Sequence, residues 1–275
     1  MRTRLEAARE AILSAGSFIR ETFGRGPGGI TEKARNDFVT ETDHQSEKII
    51  CDMLGRVYPD IPVLAEEGSG TAMGDTFWIV DPLDGTTNFI HGYPQVGVSI
   101  ALAERGEIVL GLVYDPLREE MFEAIRGDGA FCNGRRIHVS NAETLSGSLI
   151  GTGFPFRIHG HLDRYLVLFR DIFLGCRGIR RAGAAVLDLS HVAAGRLDGF
   201  FELYLKPWDM AAGGLIVTEA GGRVSDFFGG SDYLSTGNIV AGTAAVHAGI
   251  LDAARVRFEP YMLAELSNDL MDPPG

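Results

Sequence analysis

The chain has 275 residues, 45% of them hydrophobic and 23% charged, which suits a soluble globule with an ample core in one large domain or two small ones. Its 37 Asp and Glu against 25 Lys and Arg leave a formal charge of −12, which argues against a nucleic-acid or anionic-membrane binder, since both need a basic surface. Three cysteines, odd in number and never spaced Cys-x-x-Cys, point to reduced thiols in a cytoplasmic protein and away from a zinc site or a disulfide framework. The first ten residues carry charges throughout, unlike a signal peptide, and no apolar run approaches a membrane span.

Leu5, Ala8, Ile12, Ala15, Ile19 and Phe23 recur at spacings of three and four, which predicts an amphipathic helix over 3–23. A glycine-rich connector at 24–29 breaks it. Thr42 or Asp43 is expected to cap a second helix, which ends near Val57 before Tyr58-Pro59-Asp60. Strands are expected at 61–65 and 77–80, then an antiparallel meander over 96–103, 108–114 and 121–125. A glycine-heavy turn at 127–134 leads to a short strand near 137–140. The second half reads as a strand at 149–152, a helix at 161–174, a strand at 176–180, a helix at 184–194 and a strand at 199–203. Asp209 opens a helix to Ala220, and a strand at 238–241 and a helix at 244–257 follow. The halves divide near residue 145 within one expected domain, and an acidic tail covers 261–275.

Chemistry concentrates in Phe77-Trp-Ile-Val-Asp-Pro-Leu-Asp-Gly-Thr-Thr-Asn-Phe89. An apolar strand delivers Asp81 and Asp84 to its C-terminal edge, and Gly85 and two threonines then favour a helix start whose free N–H groups attract anions. Carboxylates beside an anion cradle repel the anion unless metal ions sit between them, so a magnesium site acting on a phosphate is expected. Glu66 and Glu67 close another strand and can approach the same edge. Asp209, behind Trp208, can cap its helix and hold a metal from the opposite side. No Walker loop and no helical His-Glu-x-x-His is present, and the seven histidines form no ligand set with cysteine.

Leu64-Ala-Glu-Glu-Gly68, the run from Asp81 to Asn88, Trp208-Asp-x-Ala-Ala-Gly and Val217-Thr-Glu-Ala-Gly-Gly222 resemble, in order, the signatures of the inositol monophosphatase family. Gly129-Ala-Phe-Cys-Asn-Gly134 and Arg180-Arg-Ala-Gly-Ala-Ala185 are similar to further landmarks. The resemblance implies an α/β/α/β/α five-layer fold and a magnesium-dependent, lithium-sensitive phosphomonoesterase with two to three Mg2+ ions per site. It implies that Glu66, Asp81 and the Leu83 carbonyl bind the first ion, and Asp81, Asp84 and Asp209 the second. A third magnesium would rest near Glu66. Thr86, with Asp43 behind it, would orient the attacking water, and the amides of Gly85 and Thr86 would hold the phosphate.

Arg180, Ala185, Glu202, Asp84 and Asp209 would face the leaving group, with Arg181 beside Arg180 and Asp188 as a carboxylate partner, while Lys33 would add positive charge. Ala184 and Lys206 depart from inositol-specific relatives. The substrate expected is inositol 1-phosphate, with fructose 1,6-bisphosphate, a 3′-phosphonucleotide or histidinol phosphate as alternatives. A haloacid-dehalogenase phosphatase is disfavoured, because it needs one residue between its two acids and here there are two. A rival of another kind is a regulatory protein bound to RNA polymerase or RNA. A homodimer follows from the resemblance alone.

Overall fold

The computed structural model describes residues 1–25, 29–34, 37–68, 74–155 and 160–258. Helix α1 (Arg2–Thr22) is followed by a hairpin of β1 (Ile30–Ala34) and β2 (Asp37–Thr40), then α2 (Glu41–Val57), β3 (Val63–Ala65), β4 (Thr76–Asp84) and α3 (Thr86–Ile90). A run of strands follows: β5 (Gly97–Glu104), β6 (Glu107–Asp115), β7 (Glu120–Ile125), β8 (Gly129–Cys132), β9 (Arg135–Ile137) and β10 (Leu149–Thr152). The remainder comprises α4 (Leu162–Gly175), β11 (Gly178–Arg180), α5 (Ala185–Ala193), β12 (Gly199–Leu203), α6 (Pro207–Glu219), β13 (Arg223–Ser225), α7 (Tyr233–Thr236), β14 (Asn238–Gly242) and α8 (Ala244–Arg257).

Among the described residues, β3 to β9 form one seven-stranded sheet in chain order, parallel at β3–β4 and antiparallel elsewhere. The expected meander is its centre. A second, five-stranded sheet runs β11-β10-β12-β14-β13. Helices α1 and α2 cover the outer face of the first sheet, α5 and α6 lie between the sheets, and α4 and α8 cover the far side. The result is the α/β/α/β/α layering, with an apolar cluster at each sheet-helix junction.

Strand alternation decides which side chains enter which layer. Trp78 and Val80 point into the cluster shared with α1 and α2, and Ile79 into the one shared with α5 and α6. Helix α6 is buried almost all round, as a helix between two sheets must be, and small residues let it fit. A Cβ on Gly111 of β6 would stand 2.9 Å from Ala212 Cα and carbonyl O, which are backbone atoms that cannot swing away. Gly111→Ala is therefore expected to cost about 1–3 kcal/mol by overpacking, read as a lower urea midpoint. An unchanged midpoint would show that the layer can expand.

Several expectations need correction. The N-cap of α2 is Thr40, because β2 delivers the chain two residues earlier than expected, and Asp43 sits inside the first turn as part of a capping box. Helix α6 begins at Pro207, with Lys206 at the cap and Asp209 in the first turn. Strand β4 does not stop at Val80 but runs on to Asp84, with a register shift against β5 between Asp81 and Asp84. The 127–134 turn contains β8, and the following strand ends at Ile137. The β1–β2 hairpin, β13 and α7 were not anticipated. Residues 26–28 of the connector, the tail from residue 259 onward, His159 and the side chain of Lys33 lie outside the described residues. No helix among the described residues is long and apolar enough to cross a membrane.

Candidate active site

The shift in β4 turns its end into a bulge that carries two carboxylates, Asp81 and Asp84. Asp81 continues the face of Ile79 toward α6, whose first turn brings Asp209 to meet it. Carboxylate oxygens of Asp81, Asp84 and Asp209 lie within 4.8 Å of one another, and no histidine or cysteine joins this cluster among the described residues. They line a cavity of about 450 Å³ together with Glu66, Leu83, Gly85 and Thr86 from the first half and Arg181, Ala185 and Glu202 from the second.

Each acid accepts a backbone hydrogen bond, and Asp81 keeps one oxygen unpartnered. Leu83 N–H donates to Asp81 Oδ1 (3.0 Å), whereas Asp81 Oδ2 is buried without a hydrogen-bond partner. Val186 N–H at the start of α5 donates to Asp84 Oδ2 (2.8 Å), and Lys206 N–H donates to Asp209 Oδ2 (2.7 Å). Burial, then the neighbouring Glu66, Asp84 and Asp209, holds the Asp81 carboxyl well above the usual carboxylate range. Burial and Asp209 push Asp84 up to about 8. Three crowded carboxylates with an orphaned oxygen fit a hard divalent cation, whose charge offsets both the repulsion and the lost hydration.

The pH consequence has a definite sign. Asp84 ionises in the usual range when unfolded and at about 8 when folded, so the stability linked to its protonation is complete below the unfolded value and lost as pH rises through 8. In a chelating buffer, the melting temperature of the wild type should fall more between pH 5 and pH 8 than that of Asp84→Asn. Identical pH trends in the two proteins would contradict this environment for Asp84.

The nucleophile side is built by α2 and α3. Thr86 Oγ donates to Asp43 Oδ1 (2.9 Å) and stands 3.2 Å from Leu83 O. Thr40 N–H donates to Asp43 Oδ2 (2.8 Å), and the Thr40 hydroxyl donates to the same oxygen. Burial raises the Asp43 carboxyl and these hydrogen bonds partly offset it. Gly85 has φ +89°, and a Cβ there would approach Gln95 O to 2.8 Å, so the turn into α3 requires glycine. Asn88, the last residue of the Asp81–Asn88 run, bridges the two halves: its amide donates to the carbonyls of Gln95 (2.8 Å), Ala182 (3.0 Å) and Gly183 (3.1 Å).

On the opposite wall Glu202, and the buried Asp188 of α5, are held well above the usual range, chiefly by burial, with Arg181 opposing the shift in both. Glu202 packs so closely on Gly153 that any Cβ there would overlap its carboxylate. Arg180 is exposed, its guanidinium turned back to Ile179 O, and it does not line the cavity; Arg181 does. Phe38, Phe154 and Tyr204 also line the cavity, and nothing in their sequence context singled them out. Of the histidines, His161 bonds Tyr204 and His247 bonds Ser225, both away from the acidic cluster.

The chain matches the model of the inositol monophosphatase family over residues 1–257. It is 46% identical to Nus factor SuhB of Pseudomonas aeruginosa over 269 residues, covering 95% of this chain and 99% of that protein. The structure of extragenic suppressor protein suhB from Bartonella henselae superposes with a TM-score of 0.88 at 41% identity, over 91% of this chain and 98% of that one. Thermotoga maritima IMPase superposes with a TM-score of 0.84 at 34% identity, over 96% and 99% of the two chains. Fold and sequence agree: the chain belongs to the inositol monophosphatase family.

Proposed function

We propose that the protein is a magnesium-dependent phosphomonoesterase that hydrolyses inositol 1-phosphate to inositol and phosphate in the cytoplasm. The observation that carries this reading is the convergence of Asp81, Asp84 and Asp209 on one cavity with Asp81 Oδ2 buried and unpartnered. An all-oxygen donor set suits magnesium better than zinc or copper. Glu66, Asp81 and the Leu83 carbonyl would hold one ion, Asp81, Asp84 and Asp209 a second, and Glu66 would stand near a third. When bound, these ions supply Lewis acidity that neutralises phosphate charge and makes a nearby water more acidic.

The chain's own groups do the rest. Because the Thr86 hydroxyl gives its proton to Asp43, its oxygen is left to accept from the attacking water and so orients that water toward phosphorus. Glu66 would draw the second proton of that water. The amides of Gly85 and Thr86 would bind the phosphate, and Ala185, Glu202 and Arg181 would shape the wall against the leaving inositol. A homodimer and inhibition by lithium are part of the same reading, drawn from the family.

The test is phosphate release from inositol 1-phosphate, fructose 1,6-bisphosphate and 3′-phosphoadenosine 5′-phosphate, with magnesium, with EDTA and with added lithium. Magnesium-dependent, lithium-inhibited release that favours inositol 1-phosphate is expected. Preference for another substrate would move the substrate and keep the chemistry; no release from any would reject the enzyme reading. A second reading, association with RNA polymerase, is favoured by the Nus factor name of the 46%-identical relative. Capture of purified RNA polymerase by both wild type and Asp81→Asn would support it as a role separate from catalysis.

A further inference from the structure

Helix α2 turns a buried polar edge toward the site. Asp43, Ser46 and Glu47 fall at i, i+3 and i+4, on one face of the helix, and none is more than 1% exposed. Further along the same face, Ile50 and Leu54 enter the apolar cluster beneath β4. An apolar residue at 46 or 47 would suit that packing without the cost of burying a hydroxyl or a carboxylate. The polar groups answer instead to the loops that carry the site.

Each one grips a different segment. Asp43 takes the Thr86 hydroxyl, as described above. Ser46 Oγ donates to the carbonyl of Pro82 (2.7 Å), the residue between Asp81 and Leu83 on the β4 bulge. Glu47 Oε2 accepts from Glu67 N–H (2.7 Å), beside Glu66 on the turn after β3. That turn has a second tether, Glu66 N–H to Val80 O at 3.2 Å. One rigid helix thus fixes, from two adjacent positions, both backbone segments that present the acids of the first half.

We infer that Ser46 and Glu47 are positioning residues, which set the separation of Glu66 from the Asp81–Leu83 bulge and thereby the affinity of the cation site. This rests on the proposed function, since it takes those groups as cation ligands. Groups that orient metal ligands in this way are worth about 10–100-fold in affinity or activity.

The experiment is magnesium titration calorimetry on purified wild type, Ser46→Ala, Glu47→Ala and Glu47→Gln, beside melting curves in EDTA and kcat and KM. Glu47→Ala is expected to weaken magnesium binding about 10–100-fold. Ser46→Ala, a change too small to unfold the chain, should weaken it about 3–10-fold, the worth of one hydrogen bond. Glu47→Gln, whose amide oxygen still accepts from Glu67 N–H, should recover most of the affinity, while the loss in the other two should not track their melting temperatures in EDTA. Wild-type affinity in both Ser46→Ala and Glu47→Ala would overturn the inference, and so would a Glu47→Gln variant as weak as Glu47→Ala. Should Glu47→Ala not fold, wild-type affinity in Ser46→Ala alone would overturn it. A wild type that binds no magnesium would instead contradict the proposed function.

Discussion

Asp81→Asn is expected to lower phosphate release by about a thousandfold or more, the several kcal/mol that a catalytic cation contributes. The substitution keeps the shape of the side chain and replaces one oxygen by an amide nitrogen that cannot bind a cation. It also removes the carboxylate that Glu66, Asp84 and Asp209 repel, so that like-charge repulsion is relieved. A second result follows that activity alone would not reveal. In EDTA the variant should melt above the wild type, because a buried and repelled carboxylate has become neutral, whereas magnesium should raise the wild type's melting temperature and leave the variant's unchanged. Near-normal turnover with magnesium would reject Asp81 as a ligand. A variant less stable than wild type in EDTA would reject the account of the site as a store of repulsion relieved by a cation.

The acids at 81 and 84 were legible in the sequence because their context is unusual: an apolar strand that ends in two carboxylates, a glycine and two threonines has no simple role in a core. The meander and the long helices were legible for the usual reason, periodicity at two or near 3.6 residues. The hairpin β1–β2 was not, since Ile30-Thr-Glu-Lys and Asp-Phe-Val-Thr40 offer too few apolar positions to show alternation. Arg180 and Arg181 illustrate a different limit. Adjacent residues at a strand end point to opposite sides, and which of the two faces the cavity depends on register, which a pair of identical letters does not encode. Ser46 and Glu47 lie in Glu41-Thr-Asp-His-Gln-Ser-Glu-Lys48, a run so polar that it reads as a solvated helix face, yet the residues at 42, 43, 46 and 47 are buried. Only the approach of the β3 and β4 loops makes that burial sensible.

Those loops also explain why the site sits where the two halves meet. The first sheet supplies Glu66, Asp81 and Asp84 at strand ends, while Asp209 comes from a helix packed between the sheets. Val186 N–H from α5 reaches across to Asp84, and Asn88 reaches back to Ala182 and Gly183. The cavity is therefore held by reciprocal hydrogen bonds from each half to the other. Changes in the α5–α6 layer should reach the ligands through Asp209 and Val186 without touching them directly.

Thr86→Ala should lower kcat by about a hundredfold, in the range that misplacing a reacting group costs, and leave KM within a few-fold. The division follows from what the hydroxyl touches. Its proton is committed to Asp43 Oδ1 and the residue lines the cavity, so under the proposed function it would act on the attacking water and not on the sugar. Substrate binding rests on other groups, so an interaction used in the transition state is lost while ground-state binding remains. Thr86→Ser, which keeps the hydroxyl and its bond to Asp43, should restore most of kcat. Asp43→Asn should resemble Thr86→Ala, because an amide in place of the carboxylate can turn the Thr86 hydroxyl from donor to acceptor and so reverse the proton arrangement facing the water. A raised KM with kcat preserved in Thr86→Ala would assign the residue to substrate binding. Failure of Thr86→Ser to recover activity would place its contribution in the methyl group's packing, and the Asp43–Thr86 pair would then be a strut of the fold and not part of the chemistry.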